Sequence, residues 1–131
     1  REDVVKVLLW MAAAVVGGAV LVTSVPAIAH HASAPFYDAE QSVEAVGTVT
    51  RFVFRNPHSF LYVDAEDEGG EVVHWEIEMG ASVSMSRRGW TPDTVQAGDQ
   101  IRAVGQPSRA PGTYGMCCAE LTRPDGAPIR P

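Results

Sequence analysis

A chain of 131 residues, 46% of them apolar, can build one domain with a modest core. Its formal charge of −6 argues against a phosphate-backbone partner, which needs clustered Lys and Arg, so no nucleic acid is expected. Its two cysteines, Cys117 and Cys118, are adjacent, so an ordinary loop-closing disulfide within the chain is excluded.

Val7 to Ala29 carries no charge over 23 residues and comes after Arg1 and Lys6. As a helix it is long enough to cross a hydrocarbon core of ~30 Å, and the basic residues before it place its start in the cytoplasm. Gly17 and Gly18, with Ala12 to Ala14, give it a small-residue face for close packing on other helices, and Trp10 is a further membrane or partner contact. The stretch also has the form of an export signal, with Pro26 and the small-residue site Ala27-Ile28-Ala29. Both readings export the C-terminal domain, and an uncleaved anchor is the expected one. The predicted organisation is a transmembrane helix over residues 1–29, an extended linker over 30–42 and a periplasmic domain over 43–131.

His30 to Glu40 lacks periodicity and reads as a linker or a clamp against the domain, with Phe36 and Tyr37 as its pins. Val43, Ala45, Gly47, Val49 and Val53 alternate with polar residues as in a half-buried strand, while Phe52 and Phe54 put large rings on the polar side. Arg55-Asn56-Pro57-His58 is a turn, in which Asn56 and His58 are expected to satisfy local backbone. Ser59 to Asp64 is apolar on both faces. Val72 to Met79 then alternates, with Val73, Trp75, Ile77 and Met79 on one side and His74, Glu76 and Glu78 on the other.

Ala81 to Arg88 is a short helix stopped by Gly89, with Trp90 folding back onto the core. Thr91-Pro92-Asp93 opens a single helical turn ending at Gly98-Asp99. Gln100 to Val104 and Met116 to Thr122 complete the strands. Three strands, a helix and two strands predict an all-β domain with one short helix, a five-stranded barrel of the oligonucleotide/oligosaccharide-binding type (OB-like), with a small β-sandwich as the alternative. Gly47 fits a barrel strand that must bend.

Ala29-His30-His31, Gly47-Thr48-Val49, Asn56-Pro57-His58, Trp75, Arg87-Arg88-Gly89-Trp90, Gly98-Asp99 and Gly105-Gln106-Pro107 together resemble an uncharacterised family of small exported bacterial proteins, a domain of unknown function. The likeness runs from the export segment to the fourth strand and implies a periplasmic location with no established activity. The Cys117-Cys118 pair departs from it.

Candidate sites are set by donor chemistry. Cleavage after Ala29 would free the His30 amine, which with its imidazole and His31 or His58 would chelate copper in a histidine-brace arrangement. His74, Glu76 and Glu78 recur on one face at intervals of roughly 6.6 Å, close enough to share a metal or a hydrogen-bonded row, against the plainer reading of a solvated strand face. Cys117 and Cys118 stand open between a vicinal disulfide, a soft-metal ligand, an intermolecular link, and one buried with one surface thiol. Phe52, Phe54, Phe60 and Tyr62 form either a ligand-stacking platform or core and interface, and the acidic charge favours the latter.

No convincing catalytic set emerges. The expected role is a non-enzymatic accessory subunit, cofactor-free, anchored in the bacterial inner membrane and packed among lipid and the subunits of a larger, energy-transducing complex. Trp10, Gly17, Gly18, Phe52 and Phe54 are its expected contacts. The alternative is a periplasmic copper-binding or redox protein using His30, His31 and His58.

Overall fold

A computed structural model describes residues 1–8, 10–11 and 35–129. The chain divides into two compact units, Arg1–Ala32 and Ser33–Pro131. In the first, residues 2–8 and 10–11 are helical, and Val4, Val5, Val7, Leu8, Trp10 and Met11 are each more than half exposed. Among the described residues no helix is long and apolar enough to cross a membrane. The expected anchor falls mainly on residues 9 and 12–29, which with Gly17, Gly18, His30 and His31 lie outside the described residues.

The second unit is a closed five-stranded barrel with strand order β1-β2-β3-β5-β4. Its strands are β1 (Val43–Val53), β2 (Phe60–Glu66), β3 (Val72–Glu78), β4 (Gln100–Pro107) and β5 (Gly115–Thr122), with one helix, Ser82–Ser86, between β3 and β4. Closure depends on β1 serving two neighbours. Val43 to Thr48 pair antiparallel with β4, and Gly47 to Val53 pair with β2. Gly47 sits where the strand passes from one partner to the other, and a Cβ there would lie 2.0 Å from the Asp64 carbonyl oxygen. The bend therefore requires glycine at this point.

The inward side chains meet in one cluster that includes Ala45, Val49, Leu61, Val63, Ile77, Ile101 and Met116. A β-bulge explains the Phe52 anomaly. Val49 pairs with Val63 but Arg51 with Tyr62, so one extra residue of β1 enters and the alternation reverses. Phe52 then stands opposite buried Leu61, packs on the core and meets Trp90 edge-on at 6.2 Å. Phe54 lies against Phe52 at 5.6 Å. On β2 the other two aromatic rings are covered by guanidinium groups, Tyr62 by Arg51 at 4.2 Å and Phe60 by Arg55 at 5.6 Å. The four rings thus do not form an open stacking platform.

The Ser82–Ser86 helix ends as its sequence predicts. Gly89 takes φ 89°, Trp90 N–H donates to the Met85 carbonyl and Gly89 N–H to that of Ser86, the two bonds of a Schellman motif. At its start Ala81 offers no capping side chain. Asn56 Oδ1 supplies the cap from 27 residues away, accepting from Val83 N–H at 3.2 Å and Ser82 Oγ at 3.0 Å. The amide expected to serve its own turn instead ties the β1–β2 connection to the helix.

Residues 91–99 form turns rather than the predicted helical turn. Thr91 Oγ1 accepts from Asp93 N–H, Thr94 Oγ1 from Thr91 N–H and Asp99 Oδ2 from Gln96 N–H. These short side chains satisfy the backbone donors locally and compete with helical bonds. The segment still delivers Val95 into the core.

Candidate functional site

The connection between β1 and β2 folds tightly because Ser59 is fully buried at its base. Its hydroxyl donates to the Arg55 carbonyl and accepts from Arg55 N–H, both at 3.2 Å. Its backbone bonds to Gly80 and Met79, just past the end of β3. His58 is thereby held beside Glu78, with the Asn56–Pro57 peptide cis in the same turn.

Glu78 collects two partners. His58 Nδ1 donates to Oε1 at 2.5 Å, and the Tyr37 hydroxyl donates to Oε2 at 2.7 Å. Tyr37 reaches it because the preceding segment is strapped to β4. Tyr37 bridges Ser108, Asp38 N–H donates to the Pro107 carbonyl, and Arg109 donates to the Tyr37 carbonyl and the Asp38 carboxylate. Of the two expected pins, Tyr37 holds the clamp, whereas Phe36 is 68% exposed. A bond from Arg109 N–H to the Phe36 carbonyl, not the Phe36 ring, is what fastens that residue. Burial, then the hydrogen bond and charge of Glu78, push the Tyr37 phenol well above its ordinary range, so it stays a donor.

The strand register brings the cysteines to the same place. β3 and β5 run parallel, pairing Glu78 with Cys117, and the cavity beyond them, about 500 Å³, is lined by His58, Glu78, Met85, Trp90, Cys117 and Cys118 among others. Across β4, Val104 pairs with Glu120 but Gln106 with Cys117, so Cys118 and Ala119 together oppose Gly105. Cys118 at this bulge has φ 56°, the left-handed region that non-glycine residues rarely adopt. Gly105 makes the room, since a Cβ on it would lie 2.6 Å from the Cys117 carbonyl oxygen. Cys117 is buried, Cys118 is exposed, and their sulfurs lie 2.7 Å apart.

The predicted site residues separate accordingly. The polar stripe of β3 splits: His74 pairs with Asp64 across the strands at 2.6 Å on the exposed face, Glu76 is exposed, and Glu78 alone enters the cavity. His58 bonds a carboxylate rather than the turn backbone expected of it, because Ser59 already satisfies Arg55. Among the described residues no group of three or more His, Cys, Asp or Glu could hold a metal ion. Sequence reasoning did not connect Tyr37, Glu78 and Cys117. The acidic stripe and the cysteine pair signalled two of them, but their meeting depends on the parallel β3–β5 register.

What the arrangement offers chemically is an imidazole oriented by a carboxylate through Nδ1, with no bond to Nε2 among the described residues, in a cavity shared with two converging sulfurs. Residues 18–117 match a family described as a family of unknown function (DUF6152), and the chain belongs to that family. No curated protein and no solved structure matches the chain.

Proposed function

We propose that this family member is a non-enzymatic, membrane-anchored accessory subunit of a bacterial inner-membrane complex, energy-transducing in type, with an OB-like barrel on the periplasmic side. The observation that carries the reading is the N-terminal helix. Its exposed Val4, Val5, Val7, Leu8, Trp10 and Met11 cover most of its circumference and lead into an uncharged run. Apolar side chains spread that widely need lipid or neighbouring helices to cover them. Trp10, Gly17 and Gly18 are the proposed contacts within the membrane, and Phe54, on the barrel, is a smaller one with other subunits.

The test is extraction from native membranes. The full chain is expected to resist an alkaline carbonate wash and to co-purify with further subunits in mild detergent. A soluble chain beginning at His30, or a lone small protein in detergent, would overturn the proposal.

A second reading is supported by the seat of His58. A histidine that donates one ring N–H to a carboxylate is the usual arrangement behind a metal ligand, because the carboxylate fixes the ring and raises its basicity. The reading is a periplasmic copper-binding or redox protein in which His58 joins His30 and His31. Metal analysis decides it: one copper per chain on a protein starting at His30 supports it, and no stoichiometric metal on that protein removes it.

A further inference from the structure

Adjacent residues on a strand ordinarily send their side chains to opposite faces. At Cys117 and Cys118 that rule fails, because the bulge opposite Gly105 and the left-handed φ of Cys118 rotate the second side chain toward the first. The resulting 2.7 Å between sulfurs is well inside the ~3.5–4.0 Å of ordinary non-bonded contact. The two cysteines also differ in access, Cys117 being 3% exposed and Cys118 open to solvent.

From this geometry we infer that Cys117 and Cys118 form a thiol–disulfide exchange site that closes to a vicinal disulfide. The inference does not depend on membrane anchorage or on metal binding. The substrate class is an accessible disulfide, either a small one or that of an oxidised carrier protein. The Cys118 thiolate, the reachable sulfur, attacks one sulfur of that disulfide. A Cys118–substrate bond forms, the substrate S–S bond breaks, and one substrate thiolate leaves with the proton that Cys118 gave up. Cys117 then attacks the Cys118 sulfur, the Cys117–Cys118 bond forms, and the second substrate thiol departs with the Cys117 proton. Two protein thiols are oxidised and one disulfide is reduced to two thiols, so electrons and protons balance. The buried position of Cys117 suits the second step, because the sulfur that resolves the mixed disulfide needs access only to its neighbour.

The experiment uses the full chain in detergent, reduced and then treated with oxidised glutathione, with maleimide trapping before and after unfolding and intact mass as the readout. The reduced chain is expected to take two labels after unfolding. The oxidised chain is expected to take none, to be lighter by two hydrogens than the unlabelled reduced chain, to carry no glutathione and to remain uncrosslinked. Cys117→Ser is expected to stop at one glutathione on Cys118, and Cys118→Ser to react at least about tenfold more slowly, as exchange rates follow thiol access. Glutathione retained on both cysteines of the wild type, a crosslinked dimer, or two labels persisting after oxidant would each overturn the inference.

Discussion

Tyr37 donates a 2.7 Å hydrogen bond to Glu78, 41 positions away in sequence, joining the segment before the barrel to the last residue of β3. Tyr37→Phe removes the donor and leaves Glu78 with His58. Denaturant melts near neutral pH are expected to show a loss of about 1 kcal/mol. A variant as stable as the wild type would remove Tyr37 from the clamp.

The same bond predicts a pH dependence. The folded-state phenol sits above its ordinary 10.0, so the folded protein holds this proton more tightly than the unfolded chain does. Its contribution is complete below pH about 10 and is lost as pH rises toward the folded-state value. Melts at about pH 8 and about pH 11 should show a smaller alkaline fall in Tyr37→Phe than in the wild type. Equal falls would assign the alkaline loss to other groups.

Gly47→Ala places a Cβ against the Asp64 carbonyl, where the nearest atoms are all backbone of β2 and no flexible side chain can yield. The expected destabilisation is about 3 kcal/mol or failure to fold, as in severe overpacking. A loss under about 1 kcal/mol by urea denaturation would show that β1 can bend elsewhere.

Asn56→Ala leaves the Ser82–Ser86 helix without its remote cap. The urea midpoint is expected to fall by the equivalent of about 1 kcal/mol with an unchanged slope, and Asn56→Asp is expected to retain most of the stability. An Asp variant as weak as Ala would mean the cap is not the reason for the loss.

Phe52→Ala and Phe54→Ala separate core from surface. Phe52, packed against the barrel core and Trp90, is expected to cost about 3 kcal/mol, and Phe54 clearly less. If Phe54 contacts a partner subunit, its variant weakens co-purification while the melt changes little; the reverse pattern would make it a core residue.

Periodicity and turn chemistry were enough to read much of this fold from sequence. The alternation in Val43 to Val49 and in Val72 to Met79, the glycine stop at Gly89 and the fold-back of Trp90 are local matters, governed by backbone sterics and by which face of a short element is apolar.

Tertiary structure decided what no local pattern encodes. The bulge after Val49 turned Phe52 inward, and Asn56 capped a helix distant in sequence in place of its own turn. The parallel register of β3 and β5 set Glu78 beside Cys117, and the strap to β4 brought Tyr37 to Glu78. Even the neighbours Cys117 and Cys118 needed the barrel to converge. Only pairing against Gly105 forces the extra residue and the left-handed φ that bring their sulfurs together, and pairing partners are a property of closure rather than of any single strand.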